Sequence, residues 1–240
     1  MMSERIDKVM VDAGLVKTRS QARMLIKQGD VSYNKKPVKK AGLVVDNPIL
    51  IEIKQGQLYV SRGAYKLVKA IEEFNIDFQD MTVVDCGAST GGFTQVCLEN
   101  GAKRIYAIDV GHDQLNPLIK EDPRVVNMEG INLKFPLELP EKVDYCVCDI
   151  SFISITKVFR TIASFLKEEG KAIVLIKPQF EAEKERIARG GIVKEEFQEQ
   201  IINEVKAWFL KNDFQIVNMC ESPITGKTGN TEYLALVKRN

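Results

Sequence analysis

The sequence predicts an α/β domain with a seven-stranded, mostly parallel sheet, preceded by a small α+β domain. From residue 62 onward, short apolar segments alternate with helical patterns, as in sheets whose parallel strands are joined by crossover helices. The last two strand segments are joined without a helix, which requires an antiparallel end to the sheet. Residues 1–60 differ in charge, because they hold 11 Lys and Arg against 6 Asp and Glu, whereas the remaining residues hold 23 and 27.

The front segment begins with two helical patterns and continues as short strands. Apolar residues recur at helical spacing between Glu4 and Ala13, and Gly14 ends that pattern. Ser20 is expected to cap a second helix that ends before Gly29. Short strands are expected at Val31–Tyr33, Val38 and Ile49–Ile53. We assign this front domain to residues 1–54, a linker to 55–61 and the larger domain to 62–240.

The larger domain opens with a helical pattern from about Gly63 to Phe74. Strands are expected at residues 82–86, 104–109, 125–127, 143–148, 171–177, 215–220 and 232–237. Helices are expected near residues 92–99, 155–167 and 195–211. The pattern predicts a parallel sheet with right-handed crossovers, whose strand ends meet at one edge.

Cysteine usage and the N-terminus bear on compartment and metal binding. The five cysteines are odd in number and form no C-x-x-C pair, so we expect neither a disulfide framework, nor a zinc site or other metal site. No apolar run is long enough to span a bilayer, and the first residues lack the apolar core of a secretory signal. We therefore expect a cytoplasmic protein without a membrane partner; the sequence leaves its oligomeric state open.

The front domain carries a concentration of cations that suits contacts to RNA phosphates. Arg19, Arg23 and Lys27 are spaced by four and share one helical face. The candidate RNA-binding residues are Arg5, Lys17, Arg19, Arg23, Lys27, Lys35 and Lys36.

The same residues carry a resemblance to a known family. Arg5-Ile-Asp7, Gly14-Leu15, Ser20-Gln-Ala-Arg23, 26–31 and Asn34-Lys-Lys-Pro-Val38 resemble the S4 RNA-binding domain over residues 3–54. The resemblance implies recognition of structured RNA by shape and phosphate contacts. The familiar Asn-Gly turn stands here as Asn34-Lys35, which we expect to alter the turn type.

A glycine-rich turn between a strand and a helix is the sharpest local motif. Residues 83–94 have the spacing G-x-x-x-G-G, which departs from the dinucleotide fingerprint because Ser89 takes the place of its second glycine. It also departs from a phosphate-binding P-loop, because no Gly-Lys follows. Asp85 and Asp109 end neighbouring strands, and open α/β sheets bind ligands at that edge.

This combination resembles the S-adenosylmethionine site of class I (Rossmann-like) methyltransferases. The resemblance implies that Asp85 and Gly87 lie near the methionine part, that Asp109 holds the ribose, and that Glu129 and Asn132 lie on the adenine side. The candidate cofactor-binding residues are Asp85, Gly87, Ala88, Ser89, Gly91, Gly92, Phe93, Asp109, Val110, Glu129, Asn132 and Asp149.

Four charged residues mark the margins of elements at the same predicted edge. Lys66 begins a helix, Asp149 and Lys177 end strands, and Glu232 begins the last strand. Their order and positions are similar to the Lys-Asp-Lys-Glu tetrad of the FtsJ-type RNA 2′-O-methyltransferases, which implies that they are catalytic. We take Lys177 as the candidate base, since a lysine whose amine is neutral can accept the hydroxyl proton, and Lys66 could stabilise the developing alkoxide.

Other methylation chemistries fit the sequence less well. Base N-methylases usually show a proline-containing turn where this chain has Asp149-Ile-Ser-Phe152. Cytosine C5 methylation needs a cysteine nucleophile, and strand alternation places Cys148 on the same side as Cys146, where we expect it to pack. His112, the single histidine, is treated as a ligand-loop contact and not as a base.

The whole chain resembles the TlyA family, in which an S4 domain precedes an FtsJ-like domain. The segments 149–154, 177–181, 189–194, 222–224 and 229–232 carry this resemblance. It implies 2′-O-methylation of cytidine in ribosomal RNA of the small subunit, the large subunit or both. A non-catalytic RNA-binding or assembly factor and a secreted hemolysin, a label that family members often carry, remain as alternatives.

Overall fold

The computed structural model describes residues 3–16, 19–53 and 59–240, without the side chains of Ser20, Gln21, Met24, Lys27 and Gln28. The chain divides into two compact units, residues 1–60 and 61–240, called here the front unit and the second unit. Lys17, the side chain of Lys27 and most of the predicted linker lie outside the described residues. The predicted domain boundaries therefore stay predictions. Within the described ranges, no helix is both long and apolar enough to cross a membrane.

The front unit packs two helices against short strands. Its helices are α1 (Ile6–Asp12) and α2 (Arg19–Gln28), and its strands are β1 (Glu4–Arg5), β2 (Val31–Tyr33), β3 (Lys36–Pro37), β4 (Val44–Val45) and β5 (Ile51–Ile53). β1 pairs with β4, and β2 lies between β3 and β5, all antiparallel. Ile6 and Met10 of α1 meet Leu25 and Ile26 of α2 in a buried cluster, as the helical spacing predicts.

Several details of the front unit differ from expectation. The strand predicted at Val38 lies instead at Lys36–Pro37, because those residues pair with β2, and Val38 follows as a buried residue outside the strand. Ser20 lies inside α2 and is not its cap, and a 3₁₀ turn occupies Pro48–Leu50, where a strand was expected. The expectation that Asn34-Lys35 alters the turn type is wrong. Both residues have positive φ, 49° and 62°, as the two central residues of a type I′ hairpin turn do. Lys35 therefore keeps the backbone that glycine would adopt there.

The second unit alternates strands and helices as predicted, with small changes in bounds. Its strands are β6 (Thr82–Cys86), β7 (Arg104–Asp109), β8 (Val125–Glu129), β9 (Val143–Cys148), β10 (Leu166–Ile176), β11 (Phe214–Glu221) and β12 (Tyr233–Arg239). Its helices are α3 (Ala64–Phe74), α4 (Gly92–Glu99), α5 (Pro117–Lys120), α6 (Phe159–Phe165), α7 (Pro178–Glu181) and α8 (Glu195–Lys211). Lys177 and Glu232, predicted as strand residues, lie just outside β10 and β12, and 3₁₀ turns lie at residues 155–157 and 184–186.

The seven strands form one sheet in the order β11-β12-β10-β9-β6-β7-β8. β6 to β10 are parallel where they pair, and β12 is antiparallel to both of its neighbours, which confirms the predicted antiparallel end. Tyr233 at the start of β12 pairs with Ile176 at the end of β10. The start of the last strand therefore lies at the edge where the parallel strands end.

Strand alternation separates the two faces of this sheet. Cys86, Cys146 and Cys148 are wholly buried on the face that packs with Phe159 of α6 and Phe209 of α8. Asp85 lies on the opposite face and contacts Thr94 of α4. Cys148 is thus a packing residue, as predicted, and burial raises the pKa of its thiol well above the ordinary value. A buried, protonated thiol cannot act as a nucleophile.

The front unit contains a buried carboxylate that the sequence did not reveal as a centre. The Asp7 side chain is inaccessible to solvent and accepts hydrogen bonds from Arg19 Nη2 and Arg23 Nε at 2.9 Å and from Arg5 Nε at 3.1 Å. Burial opposes ionisation, but the three guanidinium groups together hold its pKa far below the usual value. Asp7 therefore joins β1, α1 and α2 and fixes three arginines whose side chains are about half exposed.

We expect Asp7→Asn to loosen the front unit without unfolding the second. The amide replaces three charge-assisted contacts, each stronger than a neutral hydrogen bond, so local opening should cost about 2 kcal/mol less. Hydrogen exchange of the α1 and α2 amides in the full chain measures this. Asp12→Asn, an exposed change on the same helix, is the control. Equal exchange in both variants would show that Asp7 does not hold this unit together.

Candidate active site at the carboxyl edge of the sheet

The predicted tetrad meets at the edge where β9 and β10 end and β12 begins. Lys66, in the first turn of α3, places its Nζ 2.8 Å from Glu232 Oε2 and 3.3 Å from Asp149 Oδ2. Lys177 Nζ lies 2.7 Å from Asp149 Oδ1. Asp149 therefore has one ammonium at each carboxylate oxygen. Four residues separated by up to 166 positions in the chain thus form one cluster of charges.

Because these side chains are shielded from water, each charge of the cluster depends on its oppositely charged neighbours. Lys66, Lys177 and Glu232 are 8%, 6% and 3% exposed. Burial alone raises the pKa of Asp149, but Lys177 and then Lys66 outweigh it, so the net shift is downward and the carboxylate stays ionised. Two ammonium groups facing two carboxylates are neutral overall, which lets the four charges remain buried together.

Side chains outside the tetrad complete the polar contacts of two of its members. Lys177 Nζ donates to Ser151 Oγ at 2.8 Å, and Gln179 Nε2 donates to Glu232 Oε1 at 3.1 Å. A Cβ added to Gly226 would lie 2.7 Å from Glu232 Oε1, so only glycine fits beside that carboxylate without displacement. These contacts limit how Lys177 and Glu232 can turn.

The loops that follow β9 and β10 are tied together by Glu181. Its carboxylate accepts hydrogen bonds from Ser154 Oγ and from the backbone N–H of Ile155. Burial raises the pKa of Glu181, although both hydrogen bonds favour the charged form. The segments that carry Asp149 and Lys177 are thereby held at a fixed separation.

A first cavity of about 440 Å³ begins at the glycine turn and ends at Asp149. Gly87 has a φ of 85°, and a Cβ there would lie 2.9 Å from the carbonyl oxygen of Asp149. The turn can therefore approach the Asp149 backbone only with glycine. The walls combine two aspartates, Asp109 and Asp149, with apolar side chains: Ile108, Val110, Ile131, Leu133 and Ile150.

Asp109 shapes the polar side of this cavity. Its Oδ2 accepts a hydrogen bond from the N–H of Ser89 at 2.8 Å, and its Oδ1 accepts one from Gly111 at 2.7 Å. A carboxylate has about four acceptor positions, so Asp109 can still accept hydrogen bonds from two hydroxyl groups of a ligand. Ser89 and Val110 also border this cavity, as does Asn132.

Two predicted cofactor residues hold protein groups in this structure. Glu129 accepts the N–H groups of Gln114 and Leu115 and the amide of Asn127, and these hydrogen bonds lower its pKa to about 2. It thereby positions the loop whose Gln114 lines the first cavity. Asp85 is wholly buried and accepts the Thr94 hydroxyl at 2.7 Å. Both residues therefore support the cavity from behind.

A second cavity of about 640 Å³ adjoins the first and contains the tetrad. Ala88, Gly92 and Phe93 of the glycine turn border it, while Gly91 packs against Leu115 and Ile119. Phe152 and Phe180 stand beside Lys177 with ring centroids 5.3 Å apart. Phe152 is 88% exposed and has a φ of 66°, an unusual backbone for an aromatic residue. An exposed ring beside a buried charge cluster offers a surface for a planar ligand.

The predicted RNA-binding residues that are described lie on the surface of the front unit. Arg5, Arg19 and Arg23 converge at Asp7, and Lys35 and Lys36 are exposed at the β2–β3 turn. His112 is exposed and lies against Gly130.

Sequence patterns did not single out Asp7, Ser151, Gln179 or Asn230. All four do lie within motifs that carry the family resemblances: Ser151, Gln179 and Asn230 in segments 149–154, 177–181 and 229–232, and Asp7 in Arg5-Ile-Asp7. The partners of Asn230 and Asp7 lie up to 39 and 16 positions away along the chain, so the motifs alone do not reveal what these two side chains contact.

Comparison with known proteins gives two family matches. The family described as FtsJ-like methyltransferase matches residues 59–239, and the S4 domain family matches residues 4–47. A protein named hemolysin A from Brachyspira hyodysenteriae is 40% identical over 96% of this chain and 98% of its own length. The enzyme named 16S/23S rRNA (cytidine-2′-O)-methyltransferase TlyA from Mycobacterium tuberculosis is 37% identical over 95% of this chain and 87% of its own.

A solved structure also resembles the whole chain. The Streptococcus thermophilus protein named as a hemolysin has a TM-score of 0.77 and 38% sequence identity. The match covers 100% of this chain and 90% of that chain. Relatives under both names therefore share this fold and much of this sequence.

Because Asp85 is buried, we expect the free energy of unfolding to decline as the pH rises. Burial raises its pKa to about 7, with the hydrogen bond from Thr94 opposing and the charges of Asp149 and Asp109 adding, whereas its ordinary value is 3.8. As the pH rises, Asp85 loses its proton at a lower pH in the unfolded chain than in the folded one. The contribution of this protonated carboxyl to the free energy of unfolding is therefore complete below about pH 4 and is lost as the pH approaches 7. The slope is at most about 1.4 kcal/mol per pH unit.

Asp85→Asn should flatten this part of the profile, because the amide does not titrate. Urea unfolding at pH 4.5, 5.5, 6.5 and 7.5 measures the difference, with the exposed Asp80→Asn as control. A decline that persists unchanged in Asp85→Asn would assign the titration to another group.

Proposed function

We propose that this chain, which belongs to the FtsJ-like methyltransferases, methylates ribose 2′-hydroxyls of ribosomal RNA with S-adenosylmethionine as donor. Within that family it belongs to the group that joins an S4 domain to the methyltransferase fold and that includes TlyA. The observation that carries the proposal is the buried Asp149 carboxylate held between Lys66 and Lys177. This cluster lies where the two cavities meet. A protein that only binds RNA has no use for it.

The first cavity fits the nucleoside part of the donor. Asp109 offers free acceptor positions for the two ribose hydroxyls, and Ile131, Leu133 and Ile150 provide an apolar wall for a base. Gly87, where a Cβ would collide with the Asp149 backbone, keeps the passage to the second cavity open. Bound there, the sulfonium donor supplies a methyl group activated for displacement.

The tetrad would prepare the hydroxyl group of the target ribose. Methyl transfer is an in-line displacement, so holding the 2′-oxygen against the methyl carbon supplies much of the rate. As the oxygen attacks, its proton has to leave, and Lys177 is the candidate acceptor once its ammonium has released a proton to solvent. Its nitrogen lies 2.7 Å from Asp149 Oδ1, which stabilises the ammonium that forms. The proton then passes to solvent before the next cycle.

Lys66 has a different environment from Lys177. Its Nζ contacts two carboxylates, Asp149 and Glu232, and its positive charge would stabilise negative charge on the 2′-oxygen. Glu232 and Asp149 orient the lysines and keep the cluster neutral.

The front unit would bring the RNA to this site. Arg5, Arg19 and Arg23, held by Asp7, and the exposed Lys35 and Lys36 offer contacts to phosphates of structured RNA. Lys17 and Lys27 remain candidates for the same contacts. Phe152 presents an exposed ring beside the tetrad, where the base of the target nucleotide can stack. The relatives named TlyA are cytidine-2′-O-methyltransferases of 16S or 23S rRNA, so the proposed target here is a cytidine in the RNA of the small or large ribosomal subunit.

Removal of the candidate base tests the chemistry. Lys177→Ala should lower single-turnover methyl transfer to ribosomal RNA by about 10² to 10⁴, the usual contribution of a positioned base. Lys171→Ala, in the middle of β10 and outside the tetrad, is the matched control and should keep the wild-type rate. Labelled S-adenosylmethionine, with isolated subunits and free ribosomal RNA as acceptors, gives the readout.

Binding of the donor separates a chemical defect from a structural one. Lys177→Ala should bind S-adenosylmethionine as the wild type does, measured by calorimetry, because Lys177 lines the second cavity and not the first. Transfer at the wild-type rate by Lys177→Ala would exclude it as the base. A wild type that binds the donor and RNA but transfers no methyl group would favour the non-catalytic RNA-binding role.

A further inference from the structure

A loop between β11 and β12 forms one rim of the second cavity. Ile224, Thr225, Gly226, Lys227 and Thr228 border the cavity, and Glu232 follows at the start of β12. On the adjacent rim, Ile187 and Gly191 belong to the segment between α7 and α8. Both rims lie in the second unit, beside the tetrad.

Asn230 fastens these two rims together. Its side chain is 2% exposed; its Oδ1 accepts from the N–H of Val193, and its Nδ2 donates to Gly191 O and Thr228 Oγ1, each at 2.8 Å. Its backbone carbonyl also accepts from the N–H of Gly226 at 2.9 Å. Asn230 thus fixes the loop on both sides of Lys227, through its side-chain amide at Thr228 and through its backbone carbonyl at Gly226.

Lys227 carries charge that the rest of the site does not compensate. Among the cations that line the second cavity, Lys66 and Lys177 are matched by Asp149 and Glu232, whereas the structure shows no ion pair for Lys227 or Arg62 within the described residues. Lys227 is exposed, and it is the one cation among the described residues that lines both cavities. The site therefore has a net positive rim around a neutral centre.

We propose that Lys227 binds a backbone phosphate of the RNA adjacent to the ribose being methylated, and that Asn230 is the positioning residue that holds Lys227 there. The inference rests on the proposed function, since it takes RNA as the substrate. An exposed ammonium that has no ion pair among the described residues, on a loop held in place at the mouth of a polynucleotide site, complements a phosphodiester. The phosphate contact would place the 2′-oxygen relative to the buried lysines. The tetrad is neutral overall, so it cannot position the RNA by charge attraction.

Lys227→Ala tests the phosphate contact. The KM for RNA should rise about fivefold, the upper end for an exposed charge contact, while the affinity for S-adenosylmethionine stays unchanged. The slope of log Kd for RNA against log salt should fall by about one. Lys238→Ala is the control, because it removes the same charge at the opposite end of β12 and should change neither quantity.

Asn230→Asp tests the positioning role. It keeps the size of the side chain and its acceptor but loses the donors to Gly191 O and Thr228 Oγ1. The KM for RNA should rise as in Lys227→Ala. The double variant should have no higher KM than either single variant, because both changes remove the same contact between Lys227 and the phosphate. The melting temperature identifies a variant that fails to fold, in which case Thr228→Val, which removes one of the partners, takes its place.

Two results would overturn the inference. In one, Lys227→Ala binds RNA with the KM and salt slope of Lys238→Ala. In the other, Lys227→Ala loses affinity for S-adenosylmethionine and not for RNA, which would assign the lysine to the donor. Failure of the proposed function is separate, because it shows in the wild type as the absence of methyl transfer to any ribosomal RNA.

Discussion

A carboxylate shared by two buried ammonium groups is the constraint on which the second unit depends. Asp149 is acceptable at a buried strand end only because Lys66 and Lys177 contact its two oxygens, and Lys66 in turn requires Glu232. The four residues come from α3 and from the margins of β9, β10 and β12. The sheet order and the antiparallel β12 bring these margins to one edge, so that each charge of the tetrad has its partner.

The same edge holds the two adjacent cavities that we propose for the donor and the acceptor. Gly87 lets the glycine turn lie against the Asp149 backbone, and the two cavities share six lining residues: Gly87, Ser89, Asp149, Ser151, Phe152 and Lys227. Asp109, Glu129 and Asp85 support the donor side through hydrogen bonds to backbone and hydroxyl groups. Glu181 and Asn230 support the acceptor side by joining loops. The shape of both cavities thus depends also on groups such as Glu129 and Glu181, which hold loops in place.

Sequence patterns predicted the features that are local or periodic. The seven strands and the edge position of the tetrad follow from apolar segments that stop at a charged residue, and the antiparallel end follows from the lack of a helix between the last two strands. The protein groups that Glu129 and Asp85 hold could not be predicted, because a carboxylate at a strand end is equally suited to a ligand or to a nearby N–H group; their contacts with a cofactor stay predictions. Asp7 and Asn230 bind groups from other elements, and only the folded chain brings those groups together. Lys35 occupies a left-handed turn that a sequence rule reserves for glycine.

The most direct test of the central claim is the identity of the methylated nucleoside. Ribosomal RNA treated with the protein and labelled S-adenosylmethionine would be digested to nucleosides and analysed by mass spectrometry. We predict that the label resides on the ribose, as 2′-O-methylcytidine. The proposed role of Lys177 is to take the proton of a hydroxyl group, and that of Lys66 is to stabilise the hydroxyl oxygen. Label on a base would contradict it, since the tetrad would then have no role in the transfer.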